Sequence, residues 1–74
     1  MRTAELGSTV LIAQMGGDRP AIITKVYANT SVEACAFMPM PEALGLVKLH
    51  NSRVEAIQAG QQNTGFHAYW PAKS

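Results

Sequence analysis

The chain has 74 residues, a formal net charge of +1, 47% hydrophobic residues and 15% charged ones. That length fits one domain. The near-neutral balance, with Arg2, Arg19, Lys25, Lys48, Arg53 and Lys73 scattered along the chain, argues against a dedicated duplex nucleic-acid binder, which presents a basic stripe.

No apolar run approaches the roughly 18 residues of a membrane-spanning helix, and Met1–Glu5 lacks the apolar stretch of a signal peptide. No membrane partner is expected. A domain this small buries only about 60% of its unfolded surface and gains roughly 4–11 kcal/mol. Cys35 is the sole cysteine, so an internal disulfide is excluded. With His50 and His67 it forms no close-spaced ligand pair, so neither a structural zinc nor any other cofactor is expected. Self-association is the remaining supplement to a thin core, and a homo-oligomer is expected. The unpaired cysteine fits a reducing compartment, and the expected location is the cytoplasm.

In chain order, residues 1–7 read as an N-terminal arm, 8–71 as a β-domain and 72–74 as a tail. Ser8–Met15 is apolar on both faces, and its β-branched content with Gly16-Gly17-Asp18 behind it favours strand followed by turn over helix. Pro20 is then tolerable only at the start of the next strand or on an edge. In Ala21–Ala28 strict alternation places Ile22, Thr24 and Val26 on one face and Ile23, Lys25 and Tyr27 on the other. The polar turn Ala28-Asn29-Thr30-Ser31 joins this run to a second in which Val32, Ala34, Ala36 and Met38 alternate with Ser31, Glu33, Cys35 and Phe37. Two such runs across a short Asn-containing turn predict an antiparallel hairpin.

Met38-Pro39-Met40-Pro41 ends that strand, because proline removes ladder donors. Leu44–His50 reads as a fourth strand. Ser52-Arg53-Val54-Glu55 matches the capping box, which predicts a short helix over 53–59 with Gly60 at C′. Phe66–Trp70 alternates again and stops at Pro71. The sum is a mainly β fold, a small SH3-like or OB-like partly open barrel of about five antiparallel strands with one short helix.

Three blocks carry a resemblance: Arg19-Pro20-Ala21-Ile22-Ile23-Thr24-Lys25-Val26-Tyr27, then Val32 to Phe37, then His67-Ala68-Tyr69-Trp70-Pro71. Their order resembles a set of small uncharacterised proteins of tailed phages and prophages with an R-P/A-A-I-V-x-x-V-W strand, a V-N-L-x-V-F strand and an H-x-W-P-like end. Tyr27 stands where that family has Trp, Glu33 where it has Asn, and Met-Pro-Met-Pro where it has Gly-rich turns. The resemblance covers about half the chain. It implies a phage-encoded product in the host bacterial cytoplasm and carries over no catalytic residues.

Candidate chemistry is sparse. His50 and His67 stand near no recognisable nucleophile or carboxylate arrangement, and alternation points His67 outward as a rim residue. Cys35 reads as a small packing residue. Gly16-Gly17-Asp18 lacks the pattern of a phosphate loop. An enzyme is therefore not expected. Arg19, Lys25, Tyr27, His67 and Tyr69 would form an aromatic and cationic ligand surface if the last strand paired beside the second, since stacked bases need aromatics and phosphates need cations. Trp70 and Phe66 read as core.

A non-catalytic binding module is the expected class. The leading form is an anti-defence protein that sequesters a host nucleotide signal, in a pocket that so small a protomer would have to build between two subunits. The alternative is a virion or assembly component that contacts other phage or host proteins, with the Met38–Pro41 loop as its adaptable surface. A weak single-strand nucleic-acid binder is disfavoured by the charge.

Overall fold

We describe the protein from a computed structural model, which describes residues 3–37 and 40–71. Its elements are β1 (Thr9–Ile12), β2 (Arg19–Ala28), β3 (Ser31–Ala36), β4 (Glu42–His50), α1 (Arg53–Gln62) and β5 (Phe66–Tyr69). The β2–β3 hairpin forms where the sequence places it, with Ala28 opposite Ser31 across Asn29-Thr30. Among the described residues no non-glycine residue takes a positive φ, so the turn is not of the mirror-image kind; a register shift between Val26 and Ala28 accompanies it instead.

The strands close into a five-stranded barrel in sequence order, β1 pairing with both β2 and β5. Two features differ from the expected partly open, all-antiparallel sheet. The barrel is shut, by Leu11↔Tyr69 and Ile12↔Ala68. In addition β5 runs parallel to β4, because α1 carries the chain back before β5 enters beside it. Closure leaves no barrel strand with an unpaired edge to template aggregation.

Besides the shift at the turn, alternation fails at two further points, for the same physical reason. Ile23 faces Ala34 and Lys25 faces Glu33, so Thr24 is an extra residue in β2. This bulge turns Ile23 and Val26, not Ile22 and Val26, towards the interior. A second bulge lies in β4, where Ala34 faces Gly45 and Cys35 faces Ala43. Gly45 adopts φ +74 there, a conformation that costs a residue without Cβ little.

The interior is filled by Val10, Ile12, Ala21, Ile23, Val32, Ala34, Ala36, Val47, Leu49, Ala68 and Trp70. The run of alanines suits five strands curled around so narrow a space. The arm also differs from a separate appendage. Ala4 is part of the core and its N–H donates to Asn29 Oδ1 (3.3 Å), while Gly7 N–H donates to Ile23 O (2.9 Å). Residues 1–2 and 72–74, and Met38 and Pro39 of the proline loop, lie outside the described residues; Met40 is 72% exposed.

Helix α1 starts after Ser52, whose side chain makes the N-cap half of the capping box. Extended Ser52 accepts a hydrogen bond from Glu55 N–H at 3.3 Å, and its hydroxyl donates to Glu55 Oε2 at 3.3 Å. It does not stop at Gly60: Gln61 and Gln62 continue it, and Asn63 N–H caps Ala59 O at 2.8 Å. The turn into β5 is made at Gly65, φ +100. Only Ala56 of α1 is buried, so the helix lies against the barrel through small residues.

Candidate functional site

The five residues expected to share a ligand surface are dispersed. Arg19 pairs with Glu42 across one barrel end (Nη1–Oε1 3.0 Å). Lys25 and Tyr27 do meet, the ammonium 5.0 Å from the ring centroid, and Tyr27, 54% exposed, donates its hydroxyl to Glu33 Oε2. That bond to a carboxylate holds the Tyr27 phenol above its ordinary pKa. Tyr69 and His67 lie elsewhere, because β5 enters between β4 and β1 and never neighbours β2.

Tyr69 belongs to a cluster centred on Asp18. Its hydroxyl donates to Asp18 Oδ2, Arg53 Nε donates to the same oxygen (2.9 Å), and Gln14 N–H donates to Oδ1 (3.1 Å). Burial alone would push the Asp18 carboxyl up, but the bonds from Tyr69, the Gln14 backbone and Arg53 outweigh it and hold the pKa down. Burial, with the facing Asp18 carboxylate, pushes Tyr69 up. The cluster ties the β1–β2 loop, the first turn of α1 and the end of β5 together.

His67 is the one buried polar side chain among the described residues, at 7% exposure, which reverses the outward rim placement expected from alternation. The strand does turn this ring away from the interior, and Ala68 takes the inward position. What alternation could not show is that α1 lies over it: a Cβ added to Gly60 would stand 3.7 Å from His67 Cδ2. The parallel register sets Lys48 beside His67 and His50 beside Tyr69, and it brings His50 Nε2 to 3.0 Å from His67 Nδ1. The rings are tilted by 41°, with centroids 5.2 Å apart. Burial first, and the neighbouring His67 second, lower the His50 pKa, while the Glu55 carboxylate works the other way. His67 Nε2 is buried without a hydrogen-bond partner.

Two clefts flank α1, and His67 lines both. The smaller, about 260 Å³, runs between the β1–β2 loop and α1, past Met15, Ile57 and Phe66. The larger, about 600 Å³, lies between the hairpin turn, the end of β4 and the other side of α1; its polar wall is Thr30, Lys48, His50, Glu55, Asn63 and Thr64. It falls within the few hundred to a thousand Å³ of small-molecule sites. This cleft lies within one chain, whereas the expected pocket lay between two subunits. Thr30, Lys48, His50, Glu55, Asn63 and Thr64 were not legible as a site, because they come from four segments that the β3–β4 pairing and the docking of α1 bring together.

Chemically the cleft offers two imidazoles, one ammonium, one carboxylate and several hydroxyl and amide groups. Lys48 Nζ donates to Ser31 Oγ at 2.9 Å. Among the described residues no group of three His, Cys, Asp or Glu side chains is placed to hold a metal ion, and no helix is long and apolar enough to cross a membrane. Fold and site together define a small closed β-barrel with one docked helix and a polar cleft beside it. Comparison with protein-family models, with curated proteins and with solved structures gives no match.

Proposed function

We propose that the chain is a non-catalytic binding module whose ligand, a small nucleotide-type molecule, sits in the cleft between β4, α1 and the β2–β3 turn. The observation that carries this reading is the cleft itself: about 600 Å³ with polar groups converging from several elements, the usual form of a small-molecule site. Lys48 and His50, both on the wall of this cleft, suit a phosphate. Sequestration of a host nucleotide signal by a phage-encoded, self-associating protein in the host cytoplasm is the form of this function that the three-block resemblance favours. Native mass spectrometry with a panel of cyclic and ADP-ribose-type nucleotides tests it. A retained nucleotide that is lost in Lys48→Ala and kept in Arg19→Ala supports the cleft. Retention unaffected by Lys48→Ala moves the ligand elsewhere, and uptake of nothing ends the reading.

A second reading, a virion or assembly component, is favoured by the exposed side chains of Leu6, Met15, Phe37, Met40, Leu46 and Val54. Mass spectrometry of purified phage particles decides it, since a sequestering protein is absent from them.

A further inference from the structure

The contact between His50 and His67 holds one proton, and the surroundings of His67 decide which ring owns it. If His50 donates, a neutral His67 must carry its own proton on Nε2, which has neither solvent nor partner. If His67 donates from Nδ1, that buried atom is a bare lone pair instead. An orphaned buried N–H is the rarer arrangement in folded proteins. His67 is therefore the donor and His50 Nε2 the acceptor. A neutral imidazole carries one N–H, so the proton of His50 then lies on Nδ1. That atom has no partner among the described residues and, unlike His67 Nε2, is not sealed from solvent.

The neighbours of His50 sharpen the chemistry. Lys48 precedes it by two residues on the same strand face and lines the same cleft, with ammonium protons to spare beyond the bond to Ser31. The one carboxylate on the wall, Glu55, already engages Ser52 in the helix cap. What the cleft offers a ligand is thus an excess of donors.

We propose that the cleft binds its ligand through an oxyanion, a phosphate or carboxylate, held by the neutral His50 Nδ1–H and the Lys48 ammonium. His67 is the positioning residue that keeps the His50 proton on the cleft side. This inference rests on the cleft being the ligand site.

Nitrogen-15 NMR of the histidine rings at pH 7.5 tests it, because a protonated and a bare ring nitrogen resonate far apart. Both rings of the wild type are expected in the Nδ1–H form. Inorganic phosphate and adenosine 5′-monophosphate are expected to shift His50 Nδ1 and Lys48 Nζ, and adenosine is not. In His67→Phe, His50 reverts to a mixture of forms and affinity for the monophosphate falls a few-fold, the inverse of the fraction that keeps the proton on Nδ1. Lys48→Gln, an exposed change that leaves the core untouched, weakens the monophosphate and not adenosine. A wild-type His50 protonated on Nε2 overturns the proton placement. Adenosine that binds the cleft as well as its monophosphate overturns the oxyanion while leaving the cleft a ligand site. No response from any cleft residue to any of the three overturns both.

Discussion

His67 shows how one side chain can be given two meanings by one fold. On the strand it occupies an outward position, yet α1 makes that position interior, and its ring can be satisfied only on the edge facing His50. The cost appears in pH dependence. The folded-state pKa of His50 lies below its unfolded value, so the unfolded chain takes up protons first. Stability from His50 is full above the unfolded value, about pH 6.5, and is lost as the pH falls through the lower folded one. Thermal unfolding followed by the single tryptophan, Trp70, is expected to weaken between pH 7.5 and 5.5, with a shallower slope in His50→Gln. Asp18 acts in a separate window. Its depressed carboxyl stabilises the fold above the ordinary carboxylate range and loses that effect only in stronger acid, so Asp18→Asn leaves the first slope intact and alters the second. None of this was legible in the sequence: the two histidines stand 17 positions apart, and Asp18 reads there only as the end of a Gly-Gly-Asp turn.

At the scale of elements, what could be read was what is local. The β2–β3 hairpin and the Ser52–Glu55 cap follow from residues within a few positions of each other. The bulges at Thr24 and Leu44 and the parallel placement of β5 depend on partners far along the chain. Helix α1 was legible as a helix, but not in where it docks, since it carries almost no apolar stripe and buries one alanine. It is held by its cap, by Arg53 on Asp18 and by the surface over His67. Two changes act on it in opposite directions. Ser52→Ala removes the cap and costs about 1 kcal/mol. Gly60→Ala adds a Cβ at ordinary contact distance from His67 Cδ2, 3.7 Å, and stabilises the helix by up to about 1 kcal/mol. Urea unfolding measures both, and hydrogen exchange over 53–62 shows whether the effect is confined to α1 or shared with the barrel.

For the molecule as a whole, a core rich in alanine leaves few large side chains to carry the burial. Ile12 and Ile23 are the largest of those fully enclosed. Replacing either by Ala is expected to cost about 2–5 kcal/mol, a large share of the roughly 4–11 kcal/mol available to a chain of this length. Thermal unfolding followed by circular dichroism is expected to show the Tm of either variant lowered by roughly 10–40 °C, whereas Leu46→Ala, on the exposed face, leaves it nearly unchanged. The class of fold was thus visible in the sequence because alternation and turns report it. Closure was not, since it is a property of which strands meet.

The strand that shuts the barrel is also the last to be made. Leu11 and Ile12 wait for Tyr69 and Ala68, and β4 waits for the same segment. During synthesis the margins of β1 and β4 therefore stay open until β5 has emerged, and β5 must slot between two strands already in place. Folding is then limited by one long-distance event, with refolding expected in the millisecond-to-second range of barrels built from non-local pairs. The exposed margins are the interval in which a ribosome-bound chain is most open to capture by a chaperone or by a neighbouring copy.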